Sequence, residues 1–147
     1  GRKFHMTCFA TLIEVENHRI SFANAGHVVP YLVRPSGDGV ELKALVVRGN
    51  PLGAGDTPCY RASSHDLAAG DMFVWYTDGL VEASGIDGKH FGDRRMQRLL
   101  RQADGRTSTP QMVRDTILRA VQTHQEGRPL GDDLTLVVGR VKEIPAS

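Results

Sequence analysis

Two short acidic motifs lie where apolar segments of this chain meet polar ones. Asp78-Gly79 follows the apolar residues 72–75, and Asp132-Asp133 directly precedes the largely apolar residues 134–138. Carboxylates at such a junction are suited to hold a hard divalent cation, because the buried strand fixes their backbone while the loop leaves room for water. The two motifs therefore indicate metal-assisted chemistry on phosphate, with Mg²⁺ or Mn²⁺ as the ion.

Other routes to phosphate or ester chemistry lack their key residues. A haloacid-dehalogenase phosphatase would need a nucleophilic Asp two residues before Asp78, and that position is Tyr76. Neither the Gly-x-x-x-x-Gly-Lys-Ser/Thr loop of nucleotide hydrolases nor the Gly-x-Ser-x-Gly turn of serine esterases occurs. These three enzyme classes therefore have no support.

The composition is that of one globular domain. The chain has 147 residues, of which 40% are hydrophobic, enough to bury a core. Its 18 Lys and Arg nearly balance its 17 Asp and Glu, and no basic block could follow a nucleic-acid backbone, so nucleic acid is not an expected partner. No apolar run approaches the roughly 20 residues of a membrane span, and the start of the chain has no signal-peptide character. Cys8 and Cys59 lack metal-ligand spacing and are predicted to be buried thiols, which favours a cytoplasmic location.

The elements that must position the acidic motifs are strands in the first two thirds of the chain and helices afterwards. Alternation and turn-forming residues predict seven strands, at residues 6–15, 19–24, 29–34, 40–45, 59–67, 72–77 and 134–141. The strand at 72–77 is apolar on both faces, as a central strand should be. Helical spacing of apolar residues predicts two helices, one at about 93–103 and one that begins at Pro110 and ends near His124. Asp78 should therefore follow a central strand of a sheet.

Six motifs occur in the order seen in a known family. The chain resembles the bacterial metal-dependent protein phosphatases (PPM family), in particular the SpoIIE/RsbU-type branch. The similarity extends from about Phe4 to Val141. The six segments that carry the resemblance are 23–27 (Ala-Asn-Ala-Gly-His), 50–53 (Asn-Pro-Leu-Gly), 67–71 (Leu-x-x-Gly-Asp), 76–83 (Tyr-Thr-Asp-Gly-Leu-Val-Glu-Ala), 91–92 (Phe-Gly) and 132–135 (Asp-Asp-Leu-Thr).

The resemblance implies a fold, an activity and a ligand set. The fold would be α/β, part of an α-β-β-α sandwich with largely antiparallel sheets and helices on one face. The activity would be removal of phosphate from phosphoserine or phosphothreonine on a regulatory protein, such as an anti-sigma factor antagonist, through water activated by two Mn²⁺ or Mg²⁺ ions. Asp78 and Asp132 would each ligate a metal, and Gly79 would leave space beside the ions. Asp133 stays open as the alternative ligand, because adjacent strand residues point to opposite faces.

The match covers only the C-terminal portion of the family's catalytic domain. Family members carry an upstream strand whose Asp bridges the two ions, and no such motif occurs here. We therefore expect residues 1–142 to be the phosphatase-like portion, 143–147 to be a tail, and a sensory or regulatory domain to lie upstream. We also expect the isolated chain to be inactive, to bind metal weakly and to form a homodimer or swapped assembly through an unpaired strand edge.

The alternative function is a non-catalytic module that keeps the phosphatase fold and binds a phosphoprotein or a partner domain.

Several polar residues have simpler structural interpretations. His27 is predicted to hold its own turn by local hydrogen bonds rather than to act as a general acid, and Glu82 to brace the Asp78 loop. The remaining candidates are predicted to be surface groups: Asp66, Asp71, Asp87, His90 and His124.

Overall fold

The computed structural model describes residues 4–54 and 59–142. Seven strands and three helices follow one another within these described residues. In order they are β1 (Cys8–Glu14), β2 (Arg19–Ala25), β3 (Tyr31–Ser36), β4 (Gly39–Ala44), β5 (Ala62–Asp66), β6 (Met72–Tyr76), α1 (Asp78–Val81), α2 (Asp93–Arg101), α3 (Pro110–Gln125) and β7 (Leu136–Arg140). None of these helices, within the part of the chain described, is long and apolar enough to cross a membrane.

The strands form two antiparallel sheets. One has three strands in the order β1-β2-β5, and the other has four in the order β4-β3-β6-β7. In the second sheet β6 lies between β3 and β7, with Tyr31 opposite Val74 and Val74 opposite Val138. Its residues are buried on both faces except for the half-buried Trp75. The predicted central position of this strand is therefore confirmed.

Two apolar cores hold the layers together. Between the two sheets lie Ile20 and Phe22 from β2 and Phe73 from β6. On the other face of the four-stranded sheet, Val74 packs with side chains of α2 and α3. Within the described residues the helices thus cover one face of one sheet. The architecture is the predicted α/β arrangement of stacked antiparallel sheets with helices on one face.

The ends of α3 follow from its sequence. Thr109 caps the helix, its hydroxyl accepting a hydrogen bond of 3.2 Å from the backbone N–H of Met112, and Pro110 occupies the first helical turn. At the other end Glu126 and Gly127 have φ angles of 48° and 85°, which terminate the helix. The cap and the apolar stripe explain why the predicted start was correct and the predicted end lay within one residue.

Several sequence predictions are wrong. Asp71 is not a surface group but fully buried, where it forms an ion pair with Arg34. Cys59 is exposed and precedes β5, because that strand begins only at Ala62, whereas Cys8 is half-buried. Residues 78–81 form a helical turn rather than a loop. The predicted tail at 143–147 lies outside the described residues.

Candidate metal-binding site

The pairing of β6 with β7 continues beyond the strands and brings the two acidic motifs together. The backbone N–H of Thr77 donates to the Thr135 carbonyl at 3.1 Å. The Thr77 hydroxyl accepts from the N–H of Thr135 at 2.9 Å and donates to the Asp133 carbonyl at 3.2 Å. Since Asp78 directly follows Thr77, both motifs lie at the same end of the four-stranded sheet.

Gly79 lies directly against the second acidic motif. A Cβ atom at this position would come within 2.5 Å of the Asp133 carbonyl oxygen and 3.4 Å of that of Asp132. Those contacts involve backbone atoms, which cannot rotate away as a side chain can. The glycine is required because the turn at Asp78 touches the chain at residues 132 and 133.

The three carboxylates at this end of the sheet are exposed to solvent: Asp78, Asp132 and Asp133. One Asp78 oxygen accepts from the N–H of Gly79 at 3.0 Å, and one Asp132 oxygen accepts from the N–H of Asp133 at 2.7 Å. In residues 4–54 and 59–142, no three His, Cys, Asp or Glu side chains converge as a metal centre. The donor chemistry fits a hard cation, since exposed carboxylates next to water are the ligands that Mg²⁺ and Mn²⁺ prefer.

A polar cluster around two buried tyrosines fixes the strand that leads to Asp78. The Asp93 carboxylate, at the start of α2, accepts from the hydroxyl of Tyr31 at 2.8 and 2.9 Å and from that of Tyr76 at 3.2 Å. Gln97 donates to Asp93 at 2.7 Å and to the Tyr31 hydroxyl at 3.0 Å. The two tyrosine rings stack with centroids 6.2 Å apart. The cluster ties α2 to β3 and to the residue two positions before Asp78.

Both tyrosines in this cluster are held in the protonated form. Burial, with the Asp93 charge, raises the pKa of Tyr31 to about 12. Burial also raises the pKa of Tyr76, with added contributions from Tyr31 and Asp93. Asp93 was not among the residues predicted from the sequence, because a carboxylate at the first position of a helix is commonly a favourable dipole contact. Its place directly after the Phe91-Gly92 motif was the available signal.

The remaining polar residues differ in how they fit their predicted roles. The turn at His27 is held locally, as predicted, but by the Asn24 side chain, which accepts from the His27 N–H at 2.7 Å and donates to its carbonyl at 3.0 Å. Glu82 caps the C-terminus of α1 through its backbone N–H, which bonds to the Asp78 carbonyl. His90 is exposed, as predicted.

His124 is not the predicted surface group. Its ring is half-buried, with Nε2 2.9 Å from the Lys89 carbonyl and Nδ1 2.8 Å from the Arg95 guanidinium. Because a guanidinium can only donate, Nδ1 accepts, and Nε2 carries the proton that binds Lys89. His124 therefore joins α2, α3 and the loop that follows α1.

The arrangement of two stacked antiparallel sheets with helices outside is that of the PP2C-type phosphatase domains. The family model described as Stage II sporulation protein E (SpoIIE) matches residues 1–142. The chain belongs to this family of bacterial metal-dependent phosphatase domains.

Individual relatives agree with this assignment. Protein IcfG of Synechocystis sp. is 28% identical over 136 residues, which is 90% of this chain and 20% of that protein. The SiaA-PP2C domain of Pseudomonas aeruginosa superposes with a TM-score of 0.75 at 27% identity, over 91% of this chain and 51% of that one. The Bacillus subtilis SpoIIE phosphatase domain, in a manganese-presoaked crystal, superposes with a TM-score of 0.66 at 23% identity. That superposition covers 96% of this chain and 59% of the SpoIIE chain. The chain thus spans about a fifth of IcfG and about half of the SiaA domain.

Proposed function

We propose that this chain contributes to metal-dependent hydrolysis of phosphoserine or phosphothreonine on a protein, with Asp78 and Asp132 as metal ligands. The observation that supports it best is the contact between Gly79 and residues 132 and 133, which brings two acidic motifs of a phosphatase family to one end of one sheet. Asp133 remains the alternative ligand, since it is equally exposed and adjacent.

The backbone geometry suits this role. Thr77 bonds to Thr135 and to the Asp133 carbonyl, so the acidic turns keep their separation without help from the carboxylates. The carboxylates can therefore face solvent and hold hard cations. When bound, Mn²⁺ or Mg²⁺ would supply an acidified water and neutralise charge on the phosphoryl group. Because Gly79 lacks a side chain, the turn at Asp78 can lie close to the backbone of residues 132 and 133.

The finer parts of the proposal have family support. Two ions are proposed because metal-dependent phosphatases of this kind use a pair, and manganese is proposed because the SpoIIE phosphatase domain was presoaked with it. The proposed substrate is a regulatory phosphoprotein such as an anti-sigma factor antagonist, and the proposed location is the cytoplasm. A sensory or regulatory domain upstream is proposed because the chain spans only part of its relatives.

The test uses the full-length protein that includes residues 1–147. Asp78→Asn should abolish Mn²⁺-dependent phosphate release from a phosphoserine protein and weaken Mn²⁺ binding measured by calorimetry, because a ligand charge is lost. Asp38→Asn is the matched control, since Asp38 is an exposed carboxylate in the turn between β3 and β4. Full turnover by Asp78→Asn would reject the proposal. A wild-type protein that binds a phosphoprotein but releases no phosphate would instead support the non-catalytic module.

A further inference from the structure

A groove with a basic rim lies between α2 and α3, on the helical layer. It encloses a cavity of about 390 Å³. Apolar side chains form part of its wall, among them Leu99 and Ala120. Three arginines line it as well: Arg95 and Arg98 from α2, and Arg119 from α3. Among the residues that the structure describes, no acidic side chain lines the groove, and neither do the residues of the proposed metal site.

Helix α2, which supplies two of the three groove arginines, is positively charged although the chain as a whole is almost neutral. Helix α2 carries four arginines and one aspartate, a net charge of +3, against +1 for the entire chain. The rest of the chain therefore has a net charge of −2. Arg95 and Arg98 of this helix line the groove together with Arg119, and their positive charge attracts anionic groups to this face.

The arginines of the groove are available to a ligand. Among the described residues, the ion pairs of arginine involve Arg19, Arg34 and Arg114, and none involves an arginine of the groove. Arg98 and Arg119 are exposed. Arg95 is half-buried and is held by its contact with His124. Its side chain is therefore already partly ordered in the free protein, which lowers the entropic cost of binding a ligand.

We propose that this groove docks an acidic segment of a partner protein. Carboxylates of the segment would bind the guanidinium groups of Arg98 and Arg119, and an apolar side chain would contact Leu99 and Ala120. A recessed, partly apolar groove fits a peptide better than a flat lipid surface. Because the groove shares no residue with the acidic motifs, the proposal stands apart from the proposed catalytic function.

The experiment measures fluorescence anisotropy of a short labelled peptide rich in Asp and Glu with a central Leu. The peptide should bind the wild-type protein, and binding should weaken as salt is raised from about 0.1 M to about 1 M, which shortens the screening length from roughly 10 to 3 Å. A peptide with Asn and Gln in place of the acids should not bind. Equal binding of the two peptides would overturn the proposal.

Charge reversal locates the binding to the groove. Arg98→Glu with Arg119→Glu should weaken peptide binding by about tenfold or more, because two attractive contacts become repulsive. The matched control is Arg106→Glu with Lys142→Glu, which makes the same change of charge at exposed residues away from the groove. All four side chains are exposed, so circular dichroism should show both proteins folded.

Two results would overturn the proposal at this stage. One is equal loss of affinity in the two double variants, which would show a non-specific charge effect. The other is binding to vesicles containing phosphatidylserine that depends on Arg98 and Arg119 when the acidic peptide does not bind, which would assign the face to a membrane.

Discussion

Removing one partner of the buried ion pair of Asp71 and Arg34 should be strongly destabilising, because it leaves the other partner's charge uncompensated. Asp71 is fully buried and accepts three hydrogen bonds, from Arg34 Nε at 2.9 Å, from Arg34 Nη2 at 2.7 Å and from the Ala68 N–H at 2.8 Å. Asp71→Asn keeps the shape but removes the charge and turns one acceptor into a donor that faces the guanidinium. Breaking a buried pair costs about 3–5 kcal/mol. We expect a loss of stability at the low end of this range, because the Arg34 side chain is 25% exposed and can reach water.

Urea unfolding followed by circular dichroism gives the free energy of unfolding. The control is Asp115→Asn, which breaks an exposed pair with Arg114 whose side chains are 50% and 48% exposed. That pair should contribute less than about 1 kcal/mol. A loss below about 1 kcal/mol for Asp71→Asn, no larger than the control, would refute the reasoning. The double variant Arg34→Met/Asp71→Leu should lose less than the sum of the single changes, because no unpaired buried charge remains.

Three further predictions concern the site and its support. Asp132→Asn should weaken Mn²⁺ binding by about a hundredfold or more, and Asp133→Asn by much less, as measured by calorimetry; the opposite order would make Asp133 the ligand. Gly79→Ala should cost about 1–3 kcal/mol in urea unfolding, because its Cβ meets the Asp133 carbonyl at 2.5 Å, whereas Gly39→Ala, with open space around it, should not. The pKa of Tyr31 rises from 10.0 to about 12 on folding, so the folded state retains a proton in that interval and stability should fall by about 2–3 kcal/mol as pH rises through it. Tyr31→Phe should remove this part of the pH dependence, and an unchanged alkaline profile would contradict it.

The sequence predicted those parts of the fold whose signals are local. The apolar run at 72–76 predicted the central strand β6, and Thr109-Pro110 predicted the start of α3. Asp71 was misjudged because an Asp after Gly ordinarily marks a turn, and its partner Arg34 lies 37 positions earlier. Only the pairing of β3 with β6 brings those two residues together, and register is not visible in either segment alone.

The candidate site was likewise predictable from sequence only where the signal is local. The two acidic motifs could be expected to meet, because each adjoins an apolar strand and the two occur in family order. Which carboxylate of the Asp132-Asp133 pair would bind metal depends on side-chain direction, which sequence does not determine. The position of Asp93 after Phe91-Gly92 was a local signal, but its partners could not be predicted, since Tyr31 and Tyr76 lie on two strands far from it in sequence.

The basic groove and the proposed metal-binding end of the sheet are joined through one helix. Helix α2 supplies Arg98 to the groove, and its first residue, Asp93, binds the hydroxyl of Tyr76, two residues before Asp78. Proximity of this kind becomes regulation only if the connecting element has two arrangements that both sites influence. The Asp93 cluster instead fixes one arrangement, with both tyrosine hydroxyls bonded and the rings stacked. These contacts support a proposed groove that recruits a partner, whereas a role in switching the proposed site would require a second arrangement of α2 in which they are broken.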